Sequence, residues 1–211
     1  MNSNFCLIIP AYNEEKRLNI DQFLSFLTQN KHAALLFVND GSIDNTALVL
    51  NKIKALNPDQ VAILSLKNNV GKAESVRQGY LFALKKNFSF IGFFDADLST
   101  PLNESLRMLE SFNQNSQIEY VFGSRIARMG SNINRKGYRH YLGRIIATFI
   151  DTYLRLSVYD TQCGAKLMRK ELATVIFEQP FVSKWLFDVC AVYGNRLGGE
   201  SPLWGFVIAN H

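Results

Sequence analysis

The stretch FIGFFDADLSTP, residues 90–101, runs from five mostly apolar residues straight into two aspartates that are one residue apart. The apolar run predicts a buried β-strand. Because strand side chains alternate between faces, Asp95 and Asp97 are predicted to project to the same side. Such carboxylates repel each other unless a cation separates them, and a hard ion such as Mg²⁺ or Mn²⁺ suits oxygen ligands. The alternative is that one aspartate caps the following helix and the other is solvated.

The chain around this stretch alternates strand and helix patterns. Strands are predicted at 5–9, 34–38, 61–66, 90–94 and 119–123, and helices at 14–30, 42–56, 71–86 and 102–113. Ser42 or Asp44 is the predicted N-cap of the second helix. This order predicts an α/β domain with a mainly parallel, Rossmann-like sheet and helices on both faces. No linker divides the chain, so residues 1–211 are predicted to form one domain.

Polar motifs follow each of the first four predicted strands, where ligands bind in parallel α/β sheets. They are PAYNEE, NDGSIDNT, KNNVGK and DADLSTP. Asp40 is suited to accept hydrogen bonds from a base or ribose, and Lys72 to meet a diphosphate. The Walker pattern around such a lysine is absent, and the absence of G-x-G-x-x-G argues against a dinucleotide cofactor. The three histidines show no metal or triad spacing.

Positive charge is concentrated in one segment of a chain whose formal net charge is +5. Residues 120–150 contain six Arg or Lys and no Asp or Glu. This pattern indicates a phosphate-rich partner, whether nucleotide, nucleic acid or lipid head group; the alternative is a solvated basic loop. Residues 134–156 begin basic and continue with apolar residues at helical spacing, which favours either a core helix or contact with an anionic lipid surface.

Cysteine usage and hydropathy restrict the compartment. The three cysteines match no zinc or disulfide spacing, which favours a reducing environment. The first 15 residues lack the basic start of a signal peptide, and no run of about 18 apolar residues occurs. We therefore expect a cytoplasmic protein that is soluble or lies on a surface.

Seven motifs together resemble those of the family 2 glycosyltransferases of GT-A fold, and they occur in the same order. They are IIPAYNEE, VNDGSIDNT, NVGKAESVRQG, FFDADLSTP, GSR (123–125), DTQCGAKLMRK (160–170) and KWLFD (184–188). The chain is most similar to the dolichyl-phosphate and polyprenyl-phosphate sugar synthases, especially the glucosyltransferase branch. This resemblance implies an inverting glycosyltransferase that uses a nucleotide sugar of the UDP-glucose or GDP-mannose type.

The resemblance also implies a role for particular residues on the donor side. Pro10, Tyr12, Glu14 and Asp40 would line the nucleotide pocket. Asp95 and Asp97 would hold Mg²⁺ or Mn²⁺ against the diphosphate, and Asp95 would also reach toward the ribose. Residues 1–125 would form the half that binds the nucleotide sugar.

On the acceptor side, residues 126–211 would bind a polyprenyl or dolichyl phosphate. Arg125 and Arg139 would pair with its phosphate, and Asp188 or Asp160 would lie near the transferred sugar. The protein would contact the cytoplasmic face of a membrane peripherally and bind no nucleic acid, and a homo-oligomer is left open.

Two departures from the family pattern stand out. Cys190 occupies a position where the family usually has Glu, and the tail YGNRLGGESPLWGFVIANH does not resemble the family's continuation. We expect the C-terminal part of the domain to be incomplete in this chain. Two alternatives stay open at this point: a family 2 enzyme that elongates a saccharide of the cell envelope, and a non-catalytic module that binds phosphate or nucleic acid.

Overall fold

A computed structural model describes residues 4–124, 164–178, 180 and, for the backbone, 208–210. The strands are β1 (Phe5–Ala11), β2 (Ala33–Asp40), β3 (Val61–Leu66), β4 (Phe90–Phe94), β5 (Tyr120–Ser124), β6 (Ala165–Arg169) and β7 (Ile208–Asn210). The helices are α1 (Ile20–Gln29), α2 (Thr46–Leu56), α3 (Lys72–Leu84), α4 (Glu104–Gln114) and α5 (Lys170–Phe177). Within these ranges, no helix combines the length and apolar character that crossing a membrane requires.

The strands form one sheet in the order β3-β2-β1-β4-β6-β5-β7. The pairs β1–β2, β1–β4 and β2–β3 are parallel, whereas β6 runs antiparallel to both β4 and β5. The predicted mainly parallel sheet is therefore confirmed over its first four strands. Strand β6 was not predicted. In the sheet it lies between β4 and β5, which are consecutive strands in the sequence.

Helices cover both faces of the sheet, as predicted. On one face, Leu7 and Ile9 of β1 belong to the core cluster that α1, α2 and α4 complete. On the other face, Cys6 and Ile8 of the same strand belong to the cluster that α3 and α5 complete. Because side chains alternate between the faces of β1, its apolar side chains divide between two cores, and both faces of residues 6–9 are buried.

Helix α1 begins six residues later than predicted. Asn13 has a positive φ of 54°, a conformation that an α-helix does not contain. The amides of Arg17 and Leu18 then both donate hydrogen bonds to the Glu14 carbonyl. Helix α1 starts only after Asn19, whose side chain accepts a hydrogen bond from the Gln22 amide at 3.2 Å. Residues 12–19 therefore form a loop at the carboxyl end of β1.

Helix α2 also starts later than predicted, at Thr46. Asp44 does accept a hydrogen bond from the Thr46 amide, at 3.0 Å, although it lies one residue before the N-cap position, which Asn45 occupies. Ser42 has a different role, since its hydroxyl accepts a hydrogen bond from the amide of Asn13. Both of the predicted capping residues therefore bond backbone amides, and only Asp44 bonds one in α2.

Candidate active site

The loops that follow β1 and β2 are joined by hydrogen bonds. The Asn13 amide donates to Ser42 Oγ at 3.1 Å, and the Ile43 amide donates back to Asn13 Oδ1 at 3.0 Å. The Glu14 amide donates to Thr46 Oγ1 at 2.8 Å, and the Thr46 hydroxyl donates to Asp44 Oδ1 at 2.5 Å. The polar residues of the YNEE and SIDNT motifs thus bind each other, and they hold the two loops in one arrangement.

The predicted donor residues of β1 lie at the rim of this loop pair. Pro10 is half-buried within β1, and Tyr12 just beyond the strand is 44% exposed. The side chain of Glu14 is only 16% exposed, and Arg17 Nε lies 3.3 Å from its buried Oε2. The carboxyl end of β1 therefore presents one exposed aromatic ring and one largely buried carboxylate.

Asp40 at the end of β2 is buried, with 3% exposure. Its Oδ1 accepts a hydrogen bond from the Val70 amide at 2.8 Å, and its Oδ2 accepts one from the Gly71 amide at 3.0 Å. Next to it, Gly41 has a φ of +65°, and a Cβ there would lie 2.5 Å from the Asn68 carbonyl carbon. The Asp40 carboxylate therefore holds the loop between β3 and α3, a role that was not predicted for it.

That loop leads into Lys72, the first residue of α3. Its Nζ donates to Asp95 Oδ1 at 2.5 Å and lies 5.7 Å from the centre of the Phe93 ring. The Lys72 side chain is 48% exposed and that of Asp95 is 22% exposed. The structure thus brings together a lysine and an aspartate that the sequence placed in two separate motifs, after β3 and after β4.

The DAD segment differs from its predicted geometry. Strand β4 ends at Phe94, and a turn follows in which the Leu98 amide donates to the Asp95 carbonyl at 3.1 Å. Strand alternation across 95–97 is therefore the wrong reason for grouping the aspartates. Ala96 does point inward, with 6% exposure, while Asp97 is exposed and its Oδ1 accepts from the Ser99 amide at 2.9 Å.

The charges of three other carboxylates act on Glu14. Burial raises the pKa of Glu14 above its usual value, and the charge of Arg17 opposes this shift. The negative charges of Asp97, Asp44 and Asp95 raise the pKa of Glu14 further. Three loops, after β1, β2 and β4, thus contribute interacting carboxylates at one edge of the sheet. A cation placed there would relieve their mutual repulsion.

The residues fit a divalent ion that is shared with a phosphate ligand. In the described ranges, no group of three or more His, Cys, Asp or Glu side chains is arranged to hold a metal by itself. Mg²⁺ is commonly held by one or two carboxylates, with substrate phosphates and water completing its shell. Asp95 and Asp97 match that ligand set, and Lys72 adds a positive charge for a phosphate. A metal is thus expected to bind together with a diphosphate.

Four predicted site residues lie outside the described residues. They are Arg125 and Arg139, predicted for the acceptor phosphate, and Asp160 and Asp188, predicted near the sugar. Most of the basic segment, from residue 125 onward, also lies there. The acceptor half of the predicted site therefore stays a prediction.

Two residues that the sequence did not indicate lie beside the site. The carbonyl of Gly164 accepts a hydrogen bond from the Asp95 amide at 2.9 Å. Lys166 is buried, with 2% exposure, and its Nζ lies 5.0 Å from the centre of the Phe93 ring. Both belong to the DTQCGAK motif, which was noted in the sequence, but their proximity to Asp95 and Phe93 depends on the antiparallel pairing of β6 with β4.

A doubly covered, mainly parallel sheet with carboxylates and a lysine at its carboxyl edge is typical of α/β proteins that bind phosphate-bearing ligands. The sequence profile of the glycosyl transferase family 2 domain matches residues 6–177. The chain belongs to glycosyl transferase family 2, which confirms the resemblance seen in the motifs.

Curated relatives agree with this assignment. The chain is 31% identical over 207 residues to the dolichyl-phosphate beta-glucosyltransferase of Dictyostelium discoideum, covering 91% of this chain and 62% of that protein. It is 33% identical over 203 residues to the enzyme of the same name from Drosophila melanogaster, covering 89% of this chain and 61% of that protein. The chain thus spans about three-fifths of the length of these relatives.

Solved structures share the fold. The chain superposes on Mycobacterium tuberculosis glucosyl-3-phosphoglycerate synthase, in complex with Mn²⁺, uridine diphosphate and glucosyl-3-phosphoglycerate, with a TM-score of 0.67 at 19% identity. That match covers 99% of this chain and 70% of the other. A Pyrobaculum calidifontis mannosyltransferase, in complex with GDP-mannose and Mn²⁺, superposes with a TM-score of 0.55 at 16% identity, covering 82% of this chain and 46% of that one. These neighbours confirm the predicted GT-A fold.

Proposed function

We propose that this protein is a metal-dependent, inverting glycosyltransferase that moves a sugar from a nucleotide sugar to a polyprenyl or dolichyl phosphate. The observation that carries the proposal is the pairing of Lys72 with Asp95 at the carboxyl end of β4, two residues before the exposed Asp97. The names of the curated relatives support the acceptor class. Their glucosyltransferase activity favours a glucose donor of the UDP-glucose type, and a GDP-mannose type donor is the alternative.

On the donor side, the reaction breaks the bond between the sugar and the diphosphate, which leaves negative charge on the nucleoside diphosphate. Mg²⁺ or Mn²⁺, when bound, supplies Lewis-acid stabilisation of that charge. Asp95 and Asp97 are the residues that would hold the ion. Lys72 is proposed to pair with a diphosphate oxygen, and its ammonium lies beside the Asp95 carboxylate that would hold the ion. Tyr12, Pro10, Glu14 and Asp40 are proposed to line or support the nucleotide pocket.

On the acceptor side, a lipid phosphate is largely ionised at pH 7, by analogy with the second pKa of about 6 of phosphoproteins. It therefore needs orientation more than a strong general base. We propose Arg125 and Arg139 for this orientation, since guanidinium groups pair with phosphate through charge-assisted, bidentate contacts. Asp160 or Asp188 would lie near the transferred sugar. A single in-line displacement at the anomeric carbon would invert its configuration.

The acceptor implies where the protein acts. A polyprenyl phosphate is held in a membrane, so the protein is proposed to contact the cytoplasmic membrane face peripherally, through its basic segment. Transfer to a saccharide hydroxyl would need a catalytic carboxylate such as Asp188 and would depend much less on the two arginines. That difference separates the two acceptor classes.

The test is a transfer assay with UDP-glucose or GDP-mannose and Mn²⁺, in which polyprenyl phosphate in detergent is compared with a soluble oligosaccharide. We expect transfer to the lipid phosphate, and we expect Arg139→Ala to lower it roughly a hundredfold, the scale of a lost charged contact in a desolvated site. Donor affinity, measured by titration calorimetry, should hardly change in that variant. Transfer to the oligosaccharide alone, or a parallel fall in donor affinity, would contradict the proposed acceptor role.

A further inference from the structure

Gly164 lies against the Asp95 carboxylate. Strands β4 and β6 pair in antiparallel register up to Phe94 and Ala165, and the next residues continue the contact, with the Asp95 amide donating to the Gly164 carbonyl at 2.9 Å. A Cβ atom added at Gly164 would overlap Asp95 Oδ2 and Cγ and lie 3.0 Å from Oδ1. The carboxylate thus fills the space that any side chain at position 164 would take.

This glycine is required by space and not by its backbone torsion. Among the described residues, the glycines with positive φ are Gly41 and Gly71, so alanine at position 164 meets no backbone strain of that kind. The obstacle to a side chain there is one carboxylate, which can rotate. Alanine at position 164 is therefore expected to displace the Asp95 side chain before it displaces the sheet.

The position of that carboxylate is also fixed from its other side. Lys72 Nζ donates to Asp95 Oδ1 at 2.5 Å, while Gly164 borders Oδ2. A rotation forced by a methyl group at position 164 would move both oxygens relative to Lys72 and Asp97. It would thus disturb the one pair of carboxylates proposed to bind the metal.

We propose that Gly164 is a positioning residue, whose missing side chain leaves the space in which the Asp95 carboxylate takes its ligand geometry. The DTQCG motif would in this way shape the donor site through its last residue. The close contact between residues 95 and 164 is seen in the structure, whereas its consequence for metal binding rests on the proposed function.

The first test is a double-mutant cycle in thermal stability, without metal or nucleotide. Gly164→Ala should lower the melting temperature by about 2 to 4 °C, the scale of mild overpacking in a domain of this size. The same substitution in an Asp95→Ala background should cost nothing, because no carboxylate remains to be displaced. An equal loss in both backgrounds, or no loss in either, would overturn the inference.

The second test measures the affinity for UDP in the presence of Mn²⁺ by calorimetry. Gly164→Ala should weaken it at least tenfold, Asp95→Ala should do so as well, and the double variant should be no worse than Asp95→Ala. A further loss in the double variant would show that position 164 acts independently of Asp95 and would overturn the proposal.

Gly79→Ala is the matched control. Its Cβ would lie 2.5 Å from Ile8 Cγ2 and 3.0 Å from Val38 Cγ2, between α3 and the sheet and away from Asp95. It should lower the melting temperature equally in both Asp95 backgrounds and leave the affinity for UDP with Mn²⁺ unchanged. If the wild-type protein shows no Mn²⁺-dependent affinity while the stability cycle shows coupling, the proposed function fails and the positioning role of Gly164 stands.

Discussion

Two regions at the same edge of the sheet use their polar residues in opposite ways. In the loops after β1 and β2, the side chains of Asn13, Ser42 and Thr46 bond the neighbouring loop's backbone. In the turn after β4, Asp97 is exposed, and Asp95 keeps a partly exposed carboxylate whose side-chain partner is Lys72, itself 48% exposed. Family motifs of similar polarity thus divide into a scaffold and a turn that we propose binds the ligand, and only their contacts distinguish the two kinds.

The largest expected effect tests the scaffold. Asp40→Ala removes the acceptor of two partly buried hydrogen bonds, those from the backbone amides of Val70 and Gly71. Because a hydrogen bond to a charged group contributes about 1.5 to 3 kcal/mol, we expect unfolding in urea to show a loss of about 3 kcal/mol. Asp59→Ala, an exposed aspartate at the opposite end of the sheet, should change stability by less than about 0.5 kcal/mol. Equal stabilities for the two variants would show that Asp40 does not stabilise the fold.

The second prediction tests the ligand-binding turn. Asp97→Asn should lower the Mn²⁺-dependent affinity for the nucleotide sugar at least tenfold, about 1.4 kcal/mol, because it removes a charged ligand of the ion. Its melting temperature should stay near that of the wild type, since the Asp97 side chain is exposed. Calorimetry with and without Mn²⁺ measures the effect, and Asp59→Asn is the control. An unchanged affinity would exclude Asp97 from the metal site.

The third prediction concerns Lys72, which connects the two regions. It follows the loop that Asp40 holds, and it pairs with Asp95 in the turn after β4. Lys72→Met should weaken UDP binding in Mn²⁺ roughly two- to fivefold, the scale of a half-exposed charge pair. For Mn²⁺ alone the effect should have the opposite sign, because the lysine no longer competes for Asp95. Both affinities are measurable by calorimetry on one preparation. A loss of affinity for Mn²⁺ alone would contradict this competition.

The smallest effect is a pH dependence of stability. The pKa of Glu14 is raised above 4.5, mainly by burial, so the folded state binds its proton more tightly than the unfolded state does. Stability therefore falls as pH rises from 4.5 through the folded pKa, and Glu14→Gln should remove that fall and stabilise the protein slightly at pH 7. Thermal melts between pH 4 and 7 measure it.

Asp44 provides a control of opposite sign. The Thr46 hydroxyl, which donates to its carboxylate, lowers the pKa of Asp44. Its contribution is present above the unfolded pKa and is lost as pH falls through the folded one, so Asp44→Asn should flatten the acid side of the same profile. The same change in the pH dependence of stability for Glu14→Gln and Asp44→Asn would contradict the opposite pKa shifts of the two carboxylates.

The sequence predicted the local elements well where their signals are local. Strands β3 and β4 have the predicted bounds, because each is a short apolar run between polar turns. Strand β6 was missed because it pairs with β4 and β5, which are distant from it in the sequence, and a local pattern does not reveal such pairing. The late start of α1 was missed because the conformation of Asn13 depends on its bonds to the loop after β2.

For the site, the sequence pointed to the ends of β1 to β4, which the parallel pairing does bring to one edge of the sheet, but it could not separate side chains that hold loops from those proposed to bind a ligand. Asp40 and Asp95 both follow apolar strands, yet Asp40 accepts hydrogen bonds from two backbone amides and Asp95 pairs with Lys72. The fit between Gly164 and Asp95 spans more than sixty positions of sequence and depends on the register of β6. A pattern of residue types does not contain that register.

The most direct test of the central claim is the electron paramagnetic resonance spectrum of Mn²⁺ titrated with the wild-type protein in the presence of UDP. The free Mn²⁺ signal should fall as protein is added, and it should fall far less with Asp97→Asn but as before with Asp59→Asn. That result would place the metal and the nucleotide diphosphate together at the turn after β4. An equal loss of free signal with the wild type and with Asp97→Asn would contradict the account.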